Sequence, residues 1–192
     1  FNVPTFLGCS SSIWNRRRII YKRLGILEIL DCIPFEKNEG FDLSVKQNRI
    51  DFIEFFEKDC EIIWDEALED SATYGHLNLV ERFLEKGAED QKTALKAASR
   101  NGHKHIVQFF IARGVDNWNA CMKAAAKFGS LELVELFIAM GATKWNKGLL
   151  GAASQGNLEL VKYFANKGAD DWNTALLKAA KNNNPSVLNF LI

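Results

Sequence analysis

Three histidines, four cysteines and a few clustered charges are the residues of this 192-residue chain best equipped to do chemistry. The histidines are His76, His103 and His105, and the cysteines are Cys9, Cys32, Cys60 and Cys121. Imidazole moves protons near neutral pH, and together with thiolates it builds zinc sites or nucleophile–base pairs. Both uses need motif-like spacing. No CxxC pair occurs, no histidine falls beside a cysteine or serine in a recognisable arrangement, and the cysteines suggest neither a metal site nor a disulfide framework. The carboxylate pairs Glu89-Asp90 and Asp170-Asp171 could do acid–base work. The equivalent stretch of another copy holds Thr143-Lys144, however, so a solvated loop is expected. Phosphate-binding glycine loops, nucleophile elbows, HExxH and acidic calcium loops are missing from the sequence. The expectation is a protein that is not an enzyme, with no catalytic residue, cofactor, metal or small-molecule substrate.

Arg16, Arg17 and Arg18, followed by Lys22 and Arg23, form the one strong basic cluster. Such a helix can bind nucleic acid or an acidic partner. No stacking aromatic alternates with these residues as single-strand binders require, and lysine plus arginine equals aspartate plus glutamate at 24 each. A solvated end cap is therefore expected, with nucleic acid ranked third among partners. No apolar run approaches the roughly 20 residues that span a bilayer, so no membrane association is expected. Reduced thiols suit an intracellular setting, cytosolic or nuclear, and the cytoplasm is expected, or the host cytoplasm or virion for a viral protein. The start at Phe1 and the apolar pattern still running at Ile192 suggest part of a longer chain.

The elements that would position any site follow from a 27-residue repeat. One glycine ladder is Gly87, Gly114, Gly141 and Gly168; a second is Gly75, Gly102, Gly129 and Gly156, with Asn183 in the last copy. Phe56, Phe83, Phe110, Phe137 and Phe164 keep the same register, then Leu191, and beside them run Ile53, Val80, Val107, Val134, Val161 and Leu188. Trp64, Trp118, Trp145 and Trp172 form another ladder, broken by Gln91. Each unit predicts two short helices. WNACMKAAAKFG is alanine-rich and stops at glycine; SLELVELFIAMG carries Leu131, Val134 and Ile138 at helical spacing. His76, His103, Ser130, Asn157 and Asn184 mark the second helix starts, where serine and asparagine are good N-caps. The histidines are expected to cap or to face solvent. Small residues such as Ala98, Ala125, Ala152 and Ala179 would let neighbouring backbones approach. Two degenerate units, four full ones from Trp64 and a final copy cut off at Ile192 give a capping repeat over 1–36 and an array over 37–192.

ASQGNLELVKYFANKGAD from Ala153 and TALLKAAKNN from Thr174 resemble the ankyrin repeat, a resemblance covering roughly residues 37–192. It implies an all-α solenoid of helix–turn–helix repeats. Ankyrin repeats typically run 33 residues, and the six missing here are those of the β-hairpin finger, so full fingers are not expected. The proline of the family's T-P-L-H is replaced by Ala94, Cys121, Gly148 or Ala175. Shortened units with a Trp-Asn pair resemble arrays of large DNA viruses. Without a finger, each tryptophan is expected just before its helix, packed as a staple on the second helix, with the asparagine capping or beginning the helix. The resemblance further implies a scaffold that binds another protein through a concave helical face, and its viral side implies a host-interaction factor. The alternative is a structural component of a larger assembly such as a viral particle. The resemblance turns the pair before each mid-repeat glycine toward the groove, which nominates Tyr74, Arg100, Asn101, Lys127, Phe128, Gln155 and Lys181 as partner-binding residues.

Overall fold

A computed structural model of the chain describes residues 37–58 and 61–192, with side chains from residue 40. The expected capping repeat over 1–36, with Arg16, Arg17 and Arg18, lies outside the described residues. The chain divides between Gly40 and Phe41, and from Phe41 onward it is a series of helix pairs. Twelve helices and no strand are present among the described residues. The first helices of the six units are α1 (Lys37–Lys46), α3 (Trp64–Tyr74), α5 (Gln91–Asn101), α7 (Trp118–Phe128), α9 (Trp145–Gln155) and α11 (Trp172–Lys181). Their partners are α2 (Ile50–Glu57), α4 (Leu77–Glu85), α6 (Lys104–Ala112), α8 (Leu131–Ala139), α10 (Leu158–Asn166) and α12 (Pro185–Leu191).

One backbone device turns the chain in every unit. Gly75, Gly102, Gly129 and Gly156 all have positive φ, and the same place is taken by Asn48 (φ 54°) and Asn183 (φ 53°) at the two ends of the series. Asparagine is the next most tolerant residue of the left-handed region. Asn48 therefore extends the glycine ladder one unit toward the N-terminus, a rung hidden by the change of residue. Beyond it the amide of the next residue reaches five residues back, as in Arg49 N–H to Ser44 O at 2.9 Å and Asn157 N–H to Ala152 O at 3.1 Å. This satisfies a carbonyl that the helix end would orphan.

The first helices α3, α5, α7, α9 and α11 pack side by side in series, and each second helix from α4 to α12 packs on its own first helix. Phe83, Phe110, Phe137 and Phe164 are fully buried beneath the second helices, with Ala98, Ala125, Ala152 and Ala179 buried on the first. Burying one such phenylalanine contributes about 3 kcal/mol. The final unit keeps the register but buries less: Val187 is fully buried in line with Leu79, Ile106, Leu133 and Leu160, whereas Leu188, in line with Val80, Val107, Val134 and Val161, is half-buried. Adjacent first helices come very close. A Cβ built on Gly151 of α9 would stand 2.7 Å from the Lys123 carbonyl of α7.

The tryptophans are not staples ahead of the helix, as expected, but its first residues. They do pack on the second helix: Trp64 lies against Phe83 (centroids 6.0 Å) and Trp118 against Phe137 (6.3 Å). The asparagine after each is not a cap. Asn119 Oδ1 accepts from the amides of Thr143 and Lys144 at 3.0 and 2.8 Å, in the loop one unit ahead. Asn146 does the same for Asp170 and Asp171, and Asp65 for Glu89 and Asp90. At the equivalent position Lys92 pairs instead with Asp116 at 2.8 Å. Where no hairpin finger ties neighbouring loops, Asp65, Asn119 and Asn146 tie them with a short polar side chain and Lys92 with an ion pair.

Candidate protein-interaction surface

The described histidines, Asp90, Asp171 and Cys121 are each engaged within the fold, and Cys9, Cys32 and Cys60 lie outside the described residues. His76 Nε2–H donates to Lys46 O at 3.0 Å, His103 Nε2–H to Thr73 O at 2.8 Å and His105 Nε2–H to Gly75 O at 3.1 Å. Each bond reaches back into the preceding unit and satisfies a carbonyl at the end of its first helix. None of them caps its own helix, which corrects the capping expectation for His76 and His103. Only Ser130 and Asn157 cap as expected, accepting from Leu133 N and Leu160 N. Asn184 behaves like the histidines, donating to Ala153 O at 3.0 Å.

Asp90 and Asp171 are N-caps of α5 and α11, accepting from Thr93 N and Thr174 N. Hydrogen bonding by the Thr93 side chain, and then by its amide, holds the Asp90 carboxyl below its ordinary range. Cys121 is buried in α7, and burial pushes its thiol up to about 11. A thiol so rarely ionised is a poor nucleophile. No group of three or more histidine, cysteine or acidic residues is placed to hold a metal among the described residues. No described helix is long and apolar enough to cross a membrane.

The nominated partner-binding residues all fall at the ends of first helices. Tyr74 closes α3, Arg100 and Asn101 close α5, Lys127 and Phe128 close α7, Gln155 closes α9 and Lys181 closes α11. Arg100, Gln155 and Lys181 are exposed, and Lys127 is half-buried. Asn101 is half-buried and donates to Ala97 O of its own helix at 2.9 Å. Tyr74 is 38% exposed, stacked beside His76 with the Lys46 ammonium 5.5 Å over its ring.

Phe128 is 54% exposed yet has a structural contact on one side: a Cβ on Gly102 would overlap its ring. The reason is local. His103 covers Gly75, Asn157 covers Gly129 and Asn184 covers Gly156, whereas the residue in line to cover Gly102 is the short Ser130. Ser130 Oγ is already engaged in capping α8, and the Phe128 ring lies there instead.

The sequence comparison is decisive on family. The profile described as ankyrin repeats (3 copies) matches residues 67–148, and that described as ankyrin repeats (many copies) matches residues 149–192. The chain belongs to the ankyrin-repeat family. Ankyrin repeats generally mediate protein–protein interaction, and proteins built from them are typically non-enzymatic scaffolds. No curated protein matches the sequence significantly.

A second set of surface residues in this ankyrin array escaped the search for aromatic hot spots. Asp42, Glu69, Lys96, Lys123, Leu150 and Leu177 stand 27 residues apart, one on each first helix. None is buried, and Leu177 is 70% exposed. The repeat register that exposes the core ladders would have found this row had it been applied to positions whose chemistry changes between units.

Proposed function

We propose that the array is a protein-interaction scaffold whose partner lies against the first helices and is anchored where they end. Phe128 carries this reading: an aromatic ring left 54% exposed at a helix end, with Arg100 and Lys127 at nearby ends. Aromatic and arginine side chains dominate binding energy when a partner desolvates them. Tyr74, Asn101, Gln155 and Lys181 extend the contact along the series. The resemblance to shortened viral arrays makes a host protein the first partner to seek.

The test is affinity capture of the chain from its native cell, followed by mass spectrometry, then titration of the captured protein against Phe128→Ala. Loss of a hot spot of about 2 kcal/mol weakens binding roughly 30-fold. Melting should stay nearly unchanged, since only one side of the ring is packed. Unaltered affinity, or a collapse of the melting temperature, overturns this assignment.

A further inference from the structure

Lys96, Lys123, Leu150 and Leu177 keep one register across α5, α7, α9 and α11, four helices whose sequences contain no carboxylate. Lack of a partner does not set these helices apart. Glu81, Glu85, Glu135, Glu159 and Lys162 of the second helices also make no ion pair with a described residue. Sign does. Glu81 stands beside Arg82 on α4 and Glu159 shares α10 with Lys162, whereas α5, α7, α9 and α11 offer cations only.

Lys92 of α5 is paired with Asp116 at 2.8 Å, and Lys96 lies within reach of the Asp90 charge. Lys123, half-buried on α7, has no such neighbour. Burial first, and then the charges of Lys127, Lys178, Lys147 and Lys96, hold its ammonium below its ordinary range. Every one of those charges is positive. They come from α5, α7, α9 and α11, so cations of four successive helices converge around one lysine. Carboxylates placed among them turn that repulsion into attraction, the complementarity that steers and registers a partner. Beyond Lys123 the row becomes apolar: Leu150 is half-buried and Leu177 is 70% exposed.

We infer that the face of α5, α7, α9 and α11 takes an acidic segment of a partner protein, with carboxylates among Lys96, Lys123, Lys147 and Lys178 and apolar side chains on Leu150 and Leu177. This names the chemistry of the partner and rests on the scaffold reading. Nucleic acid fits the same cations less well. Leucine gives a base no aromatic ring to stack on, and α3, packed beside α5, carries four carboxylates and no cation. Neighbouring helices pack at about 10 Å and an extended peptide rises about 3.3 Å per residue. Each helix therefore faces roughly three residues, and the four helices face about a dozen.

Four labelled probes test the inference by fluorescence anisotropy with the 192-residue chain at low ionic strength. They are a 12-residue peptide of six glutamates followed by three Ser-Leu pairs, the same peptide with every leucine replaced by serine, the same with every glutamate replaced by lysine, and a single-stranded 12-mer DNA. The first should bind at least tenfold more tightly than the lysine peptide and the DNA, and at least threefold more tightly than the serine peptide. Lys123→Glu should weaken it at least tenfold, and Leu177→Ser at least threefold, while melting curves show the array intact. Lys147→Glu, at an exposed position, repeats the charge test without disturbing a packed side chain and should weaken binding at least threefold. Lys162→Glu makes the same change of charge on a second helix and should leave binding within twofold.

DNA bound as tightly as the acidic peptide, equal binding of the serine peptide, or a Lys162→Glu loss matching that of Lys123→Glu overturns the inference. Those outcomes are independent of the scaffold assignment. A captured partner that needs Phe128 but tolerates Lys123→Glu sustains the scaffold and sinks the acidic segment; the reverse pattern sinks the role of Phe128.

Discussion

At the scale of single residues, the Trp-Asn pair divides two tasks between neighbouring positions. The indole of Trp118 packs inside its own unit on Phe137, while Asn119 reaches the next unit and accepts two amide hydrogens. Asn119→Ala removes one acceptor oxygen serving Thr143 and Lys144. Both amides are exposed, so water takes them back and the expected cost is about 1 kcal/mol. Asn119→Asp keeps the oxygen and should lie close to the parent in urea denaturation, as Asp65 implies. An alanine variant as stable as the parent would mean that these bonds contribute nothing to joining the units. Gly102 and Phe128 offer a second residue-scale test. Gly102→Ala meets both a φ of +77° and the Phe128 ring, a strained backbone plus a steric conflict costing together about 2–4 kcal/mol. Phe128→Ala removes the conflict and leaves the backbone strain. A double-mutant cycle on urea midpoints should show the glycine substitution costing less in the Phe128→Ala background, and simple additivity would contradict the contact.

Elements are where the sequence was most legible, and the reason is physical. Core positions must repeat because each unit buries the same face, so Phe83, Phe110, Phe137 and Phe164 declared the second helices and Gly75, Gly102, Gly129 and Gly156 their separation from the first. What escaped the sequence was any bond whose partners lie in different units. The histidine side chains look like caps when only the neighbouring helix is considered, but their acceptors sit 30 residues back at Lys46, Thr73 and Gly75. The candidate surface was legible only as helix ends; that Phe128 would fill the place left by a short Ser130 needed the neighbouring unit's backbone. Close packing between elements gives the prediction at this scale. Replacing a helical glycine by alanine ordinarily gains about 1 kcal/mol. At Gly151 the added methyl would stand 2.7 Å from the Lys123 carbonyl and 3.3 Å from the Ala126 methyl. Backbone cannot swing aside as a side chain can, so overpacking of about 1–3 kcal/mol outweighs the gain. Gly151→Ala should lower the urea midpoint, and a raised midpoint would show that α7 and α9 have room to separate.

For the molecule as a whole, a net charge of zero hides a strong separation along the series. α3 carries four carboxylates and no cation, whereas α5 and α7 carry cations and no carboxylate. Stability should carry that separation as a pH dependence centred on Asp70. Burial, then the charges of Asp42, Glu69 and Glu66, push its carboxyl up to about 6 from an ordinary 3.8. The folded state thus holds this proton more tightly than the unfolded chain does, and stability falls as pH rises between those two values. Below about 4 both states are protonated and Asp70 costs nothing; above about 6 both are ionised and the full cost remains. Partial exposure and solvent screening limit that cost to about 1 kcal/mol. Glu57 and Asp90 act in the opposite sense, since their carboxyls are held below the ordinary range and lose stability as pH falls. The difference between parent and Asp70→Asn isolates the one group, because the other titrations are common to both. Urea denaturation should find Asp70→Asn more stable by about 1 kcal/mol at pH 7, with the advantage shrinking toward pH 4. A constant difference across that range would show that Asp70 ionises as freely in the fold as in the open chain, and the crowding of carboxylates at this end would then be without energetic consequence.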